Sequence, residues 1–134
     1  MSDAVVFDID GVLSDSCHRN HLIPDWDEFY KLIPEDVPCQ PMIKLLSMFY
    51  WDMEYDVILL TSRPESVRKD TEEWLFKHEV PYNNLRMRPD GLEDGPHWKL
   101  EQIKKLRDKH IIHWIFDDAP KNIRSEEASC RERV

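Results

Sequence analysis

The sequence has little glycine, no long apolar run and no excess of basic residues. It contains three glycines in 134 residues and no Gly-x-x-x-x-Gly-Lys-Ser/Thr motif, so no P-loop kinase domain is expected in this chain. No apolar stretch approaches the roughly 20 residues that a membrane-spanning helix needs, and we therefore expect no membrane partner. No basic segment precedes the first short apolar run, which argues against a secretory signal.

Acidic residues outnumber basic ones by 27 to 18, which gives a formal net charge of −9. Binding along a nucleic-acid backbone requires the neutralisation of several phosphates, so we expect no extended nucleic-acid surface. A small phosphate ester or a single strand end remains compatible with this charge, because a few local basic residues can bind one phosphate. The oligomeric state is not indicated by the sequence.

The three cysteines are Cys17, Cys39 and Cys130. They form no close pair and do not have the spacing of a zinc site. We therefore predict reduced thiols and a cytoplasmic protein, because disulfides persist mainly in oxidising compartments.

Apolar runs of strand length alternate with amphipathic helical patterns. Continuous apolar runs are typical of strands that are covered on both faces. The predicted strands are Ala4–Ile9, Asp56–Thr61, Leu85–Arg88 and Ile111–Phe116, and the predicted helices between them are Met42–Met53, Glu65–His78 and His97–Lys109. This alternation predicts one α/β domain over residues 1–134, built on a Rossmann-like, doubly wound parallel sheet. A further helix, but no fifth strand, is predicted after Asp118.

Residues 14–40 interrupt the alternation directly after the first strand. They contain a predicted short helix, Trp26–Ile33, with Asp25 as its N-cap and Glu28 three residues later, a capping-box spacing. We expect this insertion to form a small lid or rim that selects substrate. The alternative is a packed surface connection without a role in binding.

Carboxylates follow the first and the last predicted strand. Asp8 and Asp10 flank Ile9 and precede Gly11, and the adjacent pair Asp117-Asp118 follows Phe116. Ligands of open α/β sheets bind beyond the carboxyl ends of the strands. Close carboxylates repel each other unless a divalent cation bridges them or one holds a proton.

Two hydroxyls and an arginine lie at the end of the strand Asp56–Thr61, and a lysine lies at the start of the last predicted helix. Thr61, Ser62 and Arg63 come at the end of the second long strand, where a hydroxyl and a helix N-terminus can bind a phosphoryl group. Thr and Ser are also ordinary helix caps. Lys99 lies in the first turn of a helix, where a cation opposes the helix dipole.

In this order, the motifs resemble those of the haloacid dehalogenase-like (HAD) superfamily of phosphotransferases. The matching residues are Asp8-Ile9-Asp10-Gly11-Val12, Thr61, Lys99 and Asp117-Asp118. Further segments are similar to the stand-alone phosphatases related to the 3′-phosphatase domain of bacteriophage polynucleotide kinase. These segments are Ser14-Asp15, His18-Arg19, Asp25-Trp26-Asp27, Thr61–Ser66 and Met87–Asp90.

The resemblance implies a HAD-like fold with a small cap and a Mg²⁺-dependent phosphomonoester hydrolase. Asp8 would be the nucleophile that forms an aspartyl-phosphate, and Asp10 would be general acid and then general base, which requires a raised pKa. Thr61 and Lys99 would bind the transferring phosphoryl group. Asp8, Asp10 (through its carbonyl), Asp117 and Asp118 would hold Mg²⁺.

The substrate implied by the resemblance is a nucleic-acid 3′-phosphate or a nucleotide. Another small phosphorylated metabolite, or a non-catalytic binding protein with this fold, stays open. Candidate substrate contacts are Arg19, Ser62, Arg63 and Arg88, with exposed surface arginines as the alternative. The aromatic residues Trp26, Phe29 and Tyr30 can stack on a base or belong to the core.

Overall fold

A four-stranded parallel sheet forms the centre of the protein, of which the computed structural model describes residues 1–118. The strands of this part are, in chain order, β1 Ser2–Phe7, β2 Ser14–Asp15, β3 Val37–Pro38, β4 Asp56–Pro64, β5 Asn84–Arg88 and β6 His110–Phe116. The main sheet has the order β5-β4-β1-β6 and every neighbouring pair is parallel. The predicted α/β class with a parallel, Rossmann-like sheet is therefore confirmed.

The central strands are apolar on both faces because each face is covered by helices. Residues 4–7 of β1 and 57–60 of β4 are at most 2% exposed. Alternate residues of these strands belong to two separate apolar clusters, one on each side of the sheet. Because the two central strands contribute to both clusters, the ends of β1 and β4 are fixed relative to the helices on either side.

Within residues 1–118, four α-helices lie between the strands: α1 Trp26–Lys31, α2 Gln40–Trp51, α3 Arg68–Lys77 and α4 Gly95–Arg107. Apolar residues of α2 and α3 pack on one face of the sheet, and those of α4 pack on the other. The helix expected from Glu65 begins at Arg68, because residues 65–67 form a 3₁₀ turn. Because the strands are parallel, the segments that follow β1, β4 and β5 and lead to the next helix all begin at the carboxyl edge of the sheet.

The insertion after β1 forms a small subdomain. Strands β2 and β3 pair as a two-residue antiparallel ribbon, and 3₁₀ helices at Cys17–Leu22 and Ile33–Glu35 flank α1. The Asp25 carboxylate caps α1 by accepting a hydrogen bond from the Glu28 amide. The helix ends at Lys31 and not at Ile33, because Pro34 has no amide hydrogen to continue it.

Three further expectations concern the cysteines, the C-terminal helix and membrane-spanning helices. Cys39 is a free thiol, whereas Cys17 is disulfide-bonded, so the expectation of reduced thiols is wrong for Cys17. The helix predicted after Asp118 lies outside the described residues. Within residues 1–118, none of the helices has the length and apolar character that crossing a membrane requires.

Candidate active site

The predicted site residues of three strands meet at the carboxyl edge of the main sheet. Strand β1 is hydrogen-bonded to β6 on one side and to β4 on the other, and Phe7 is in register with Phe116. Asp8 and Asp117 follow these two paired residues. The Asp8 amide donates a hydrogen bond of 2.8 Å to the Phe116 carbonyl, so the parallel register itself brings the two acids together.

A tight turn after Asp8 depends on glycine. Gly11 has φ +81°, a left-handed conformation that costs other residues free energy. The Ile9 carbonyl accepts hydrogen bonds from the amides of the next turn, residues 12–14. A Cβ atom at Gly11 would overlap the Asp118 carboxylate. The glycine therefore permits the turn and leaves room for the second acid after β6.

Lys99 joins the carboxylates that follow β1 and β6. Its Nζ lies 2.9 Å from Asp8 Oδ2 and 3.4 Å from Asp117 Oδ2. The lysine reaches them from the first turns of α4, which begins after the N-cap Asp94. The Lys99 side chain is only 13% exposed. The hint from its unfavourable position in the helix dipole thus has a structural counterpart: the cation is directed to the acids.

The electrostatics of this trio favour a proton on Asp8 when no further cation is present. Burial, opposed by Lys99 and reinforced by Asp117, raises the pKa of Asp8 to about 8. The pKa of Lys99 is raised because the attraction of Asp8 and Asp117 outweighs its burial. A carboxylate in this position needs additional positive charge to stay ionised at neutral pH.

Asp10 is held in the opposite protonation state. Its Oδ1 accepts hydrogen bonds from Arg63 at 2.8 Å and Arg19 at 3.1 Å, and its Oδ2 accepts from Arg63 Nε at 3.1 Å. Burial alone would raise the pKa of Asp10, but Arg63, and then Arg19, lower it to about 2. The expectation of a raised pKa for Asp10 is therefore wrong for this arrangement, because two arginines solvate the anion.

Arg19 and Arg63 are buried, at 0% and 2% exposure. The alternative of exposed surface arginines is thus wrong for both. They also share a second carboxylate, Asp36, at distances of 2.8–3.1 Å. Asp36 was not predicted from the sequence, because an acid among the prolines of residues 34–41 looks like an ordinary loop residue.

In the described part of the chain three cavities adjoin the cluster, and two of them are lined by Trp26 and Tyr30. One, of about 280 Å³, contains Asp10, Gly11 and Asp118 in its wall, together with Ser62, Arg63, Trp26 and Tyr30. The other, of about 590 Å³, is lined in part by Trp26, Tyr30, Ser62 and Arg88. The insertion therefore borders the predicted site, as expected for a rim.

Aromatic residues of α1 separate the two cavities. Trp26 and Tyr30 stack with ring centroids 5.9 Å apart, and Trp26 is 49% exposed. Phe29 is buried, and its ring lies 4.2 Å from the guanidinium carbon of Arg19. Of the three aromatic residues weighed as a stacking surface, Phe29 belongs to the core and Trp26 is about half exposed.

The remaining predicted residues are Thr61 and Ser62 at the end of β4 and Arg88 at the end of β5. Thr61 is fully buried, and its hydroxyl oxygen accepts a hydrogen bond from the Arg63 amide. Arg88 donates from Nε to the Ser62 carbonyl at 2.8 Å. A role toward substrate stays a prediction for Thr61, Ser62 and Arg88, and equally for Arg19 and Arg63.

The donor chemistry at Asp8 and Asp117 fits a hard divalent cation. Both carboxylates already converge on one positive charge, the Lys99 ammonium, and carboxylate oxygens are the ligands that Mg²⁺ prefers. Within residues 1–118, however, the structure has no preformed cluster of three or more His, Cys, Asp or Glu side chains that could hold a metal. The whole predicted set of ligands, Asp8, the Asp10 carbonyl, Asp117 and Asp118, stays a prediction.

Comparisons with known proteins found one family that matches this chain. A family described as the polynucleotide kinase PNKP phosphatase domain matches residues 2–125. No curated protein matches the chain.

Two solved structures are similar to this chain. "Structure of the Pnkp1/Rnl/Hen1 RNA repair complex" contains a chain that is 26% identical, with a TM-score of 0.77, over 90% of this chain and 37% of that one. "Structure of Pnkp1/Rnl/Hen1 complex" gives 28% identity, a TM-score of 0.73, and 90% and 40% coverage. The chain thus spans about two-fifths of the length of these relatives.

Proposed function

The chain belongs to the polynucleotide kinase PNKP phosphatase-domain family of the HAD superfamily, and we propose that it hydrolyses phosphomonoesters through an aspartyl-phosphate on Asp8. The phosphatase class follows from the family match and the structural relatives. The observation that best supports the proposed mechanism is the convergence of Asp8 and Asp117 on the Lys99 ammonium, at 2.9 and 3.4 Å.

Asp8 is the nucleophile in this proposal. One carboxylate oxygen of Asp8 bonds to phosphorus, and the bond from phosphorus to the leaving oxygen breaks. Water then attacks the phosphorus of the aspartyl-phosphate, which frees inorganic phosphate and restores the carboxylate. Two like charges 4 Å apart repel by about 4 kcal/mol at an effective dielectric near 20. Lys99 offsets this repulsion, and Thr61 completes the contacts to the phosphoryl oxygens.

Asp8, Asp117 and the carbonyl of Asp10 would hold Mg²⁺, with Asp118 in support. The ion would supply the positive charge that keeps Asp8 ionised and that polarises the phosphoryl group. The raised pKa of Asp8, about 8, supports this requirement. It means that Lys99 alone leaves the nucleophile largely protonated at neutral pH.

Asp10 is the proton-transfer group in this proposal. As the anion held by Arg63 and Arg19, it is ready to accept a proton from the attacking water in the second step. Donation to the leaving oxygen in the first step requires that Asp10 gain a proton and loosen its hydrogen bonds to Arg63. The hydrolysis rate of esters whose leaving group needs no proton should therefore depend less on Asp10.

The proposed substrate is a nucleic-acid 3′-phosphate or a nucleotide. Trp26 and Tyr30 present a stacked aromatic pair beside the cavity that contains Asp10. A base is planar and can stack on such a ring, whereas a sugar phosphate has no π-face. One of the two similar structures is described as an RNA repair complex, which supports a nucleic-acid end. The insertion 14–40 then acts as the substrate-selecting rim.

A substrate panel with and without Mg²⁺ tests the proposal. We expect hydrolysis of an aryl phosphate and of a 3′-phosphorylated oligonucleotide with Mg²⁺, and none in EDTA. Faster hydrolysis of sugar phosphates would favour a metabolite phosphatase. An absence of hydrolysis of any ester in the presence of metal would favour a non-catalytic binding protein.

Replacement of Trp26 by alanine tests the stacking surface. Stacking of one base contributes about 1–3 kcal/mol, so the KM for the oligonucleotide should rise at least fivefold. Trp51→Ala is the matched control, since Trp51 is 69% exposed on α2 and lines none of the three cavities beside the site. An unchanged KM in Trp26→Ala would remove the aromatic argument for a nucleotide substrate.

A further inference from the structure

The insertion contributes one carboxylate to the site that reaches none of the cavities described above. Asp36 follows the 3₁₀ turn Ile33–Glu35, and its side chain is fully buried. It does not line the cavity that contains Asp10. A charge at this depth is costly unless it is fully paired, so its partners indicate why it is there.

All of the oxygen atoms of Asp36 are used. Oδ1 accepts from Arg19 Nε at 2.8 Å and lies 2.7 Å from His18 Nε2. Oδ2 accepts from a terminal nitrogen of Arg19 at 2.9 Å and of Arg63 at 3.1 Å. The backbone carbonyl accepts from the Trp74 indole at 3.0 Å. The carboxylate thus accepts two hydrogen bonds from the Arg19 guanidinium and one from the Arg63 guanidinium.

The same two guanidiniums hold Asp10. One terminal nitrogen of Arg63 is shared between Asp36 and Asp10, and one terminal nitrogen of Arg19 is shared in the same way. Two cations therefore alternate with two anions in a closed ring. Asp10 is on the cavity side of the ring, with 35% of its side chain exposed, and Asp36 is on the buried side.

Each arginine is further restrained by a neutral group. Arg63 donates to the Thr71 hydroxyl on α3 at 3.1 Å, and Arg19 donates to the Phe29 carbonyl at 3.4 Å. These contacts are weaker than the charged ones, since hydrogen bonds between ionised partners are roughly twice as strong as neutral ones. Asp36 is therefore the stronger restraint on the orientation of the Arg19 and Arg63 guanidinium planes.

We infer that Asp36 is a positioning residue of this site, whose carboxylate fixes the Arg19 and Arg63 guanidiniums in the orientation that holds Asp10 toward the substrate. The inference rests on the proposed function, because Asp10 matters only if the site transfers phosphate. It extends that function by one residue in the insertion that contacts neither substrate nor reacting atoms.

Asp36→Asn tests the inference because the amide keeps the shape of the carboxylate and removes its charge. We expect kcat on an aryl phosphate to fall at least tenfold, with KM within twofold of the wild-type value. Trp74→Phe is the matched control: it removes a hydrogen bond to the Asp36 backbone but leaves the carboxylate. Its kcat should stay within twofold of wild type, even if its melting temperature falls as much as that of Asp36→Asn.

A spectroscopic measurement separates this inference from the proposed function. In ¹⁵N-edited NMR spectra, the Nε–H signals of Arg19 and Arg63 should be sharp and slow to exchange with water in the wild type. The Arg19 signal should lose this protection in Asp36→Asn. If the wild type hydrolyses no ester, the proposed function fails, and the NMR signals still report whether Asp36 orients the arginines.

The inference is overturned if folded Asp36→Asn keeps kcat within twofold of wild type, if Trp74→Phe loses as much kcat, or if the wild-type Nε–H signals are unprotected. Should Asp36→Asn not fold, Asp36→Glu replaces it. The longer side chain keeps the charge but displaces the carboxylate by about one methylene. Its kcat should fall at least fivefold at unchanged KM, and a kcat within twofold of wild type would overturn the inference equally.

Discussion

Asp8→Asn is expected to abolish phosphatase activity and, without divalent cations, to stabilise the folded protein increasingly as the pH rises. The activity is lost because an amide cannot form the aspartyl-phosphate. The gain in stability follows from the raised pKa of Asp8, about 8 against 3.8 for the free side chain. Burial beside Asp117 makes the ionised nucleophile costly in the metal-free fold.

The pH window follows from proton linkage. Between about pH 4 and pH 8, folded Asp8 holds its proton while unfolded Asp8 has lost it, so the folded state binds more protons. The free energy of unfolding of the wild type therefore falls with rising pH, by at most about 1.4 kcal/mol per pH unit for this one group. Asparagine does not ionise, so the difference between variant and wild type should grow by about 2–3 kcal/mol from pH 5 to pH 7.

Urea unfolding at pH 5, 6 and 7 in EDTA, followed by tryptophan fluorescence, measures this difference. Other titrating groups are common to both proteins and largely cancel. Asp108→Asn is the control for the loss of one carboxylate at an exposed position. A constant difference for Asp8→Asn, or one that shrinks as the pH rises, would refute the electrostatic description of the site.

Three further outcomes are expected. Asp10→Asn should lower kcat at least 100-fold on an alkyl phosphate and less than tenfold on a nitrophenyl phosphate, because only the alkoxide leaving group needs a proton; equal losses in steady-state assays would contradict this role. Gly11→Ala should lower the free energy of unfolding by at least about 1–2 kcal/mol because of the left-handed backbone alone, and the overlap with Asp118 should add to this loss. A urea midpoint equal to that of the wild type would show that the turn relaxes. Millimolar Mg²⁺ should raise the melting temperature of the wild type but not of Asp117→Asn in a thermal shift assay, and an equal rise in both would place the ion elsewhere.

The sequence pattern was sufficient for the main sheet. Strands such as β1 and β4 are continuous apolar runs because helices cover both of their faces, and that pattern is visible without a structure. The two-residue strands β2 and β3 are too short to leave a pattern. The start of α3 was placed three residues early, because Pro64 marks the end of β4 and the following residues form a 3₁₀ turn.

The site was predictable where its residues follow strands and not where it depends on distant pairing. Asp8 and Asp117 meet because paired strands end together, which the topology implies. The protonation state of Asp10 depends on Arg63, which is 53 residues away in sequence. The burial of Arg63 in turn depends on Asp36, which is 27 residues away from it. The expectation of a raised pKa for Asp10 came from the general-acid role that the resemblance implies, and the local sequence contained no sign of the two arginines that lower it.

The shared charges also restrict how this protein can be recombined with its relatives. A chimera that exchanges residues 14–40 would replace Arg19 and Asp36 together but would keep Arg63 from the host. If the donor segment lacks an acid at the position of Asp36, the host arginine is left beside one carboxylate and an excess of buried positive charge. Segment exchange in this family should therefore be planned around the ion pairs that cross the junction and not around the ends of the loop.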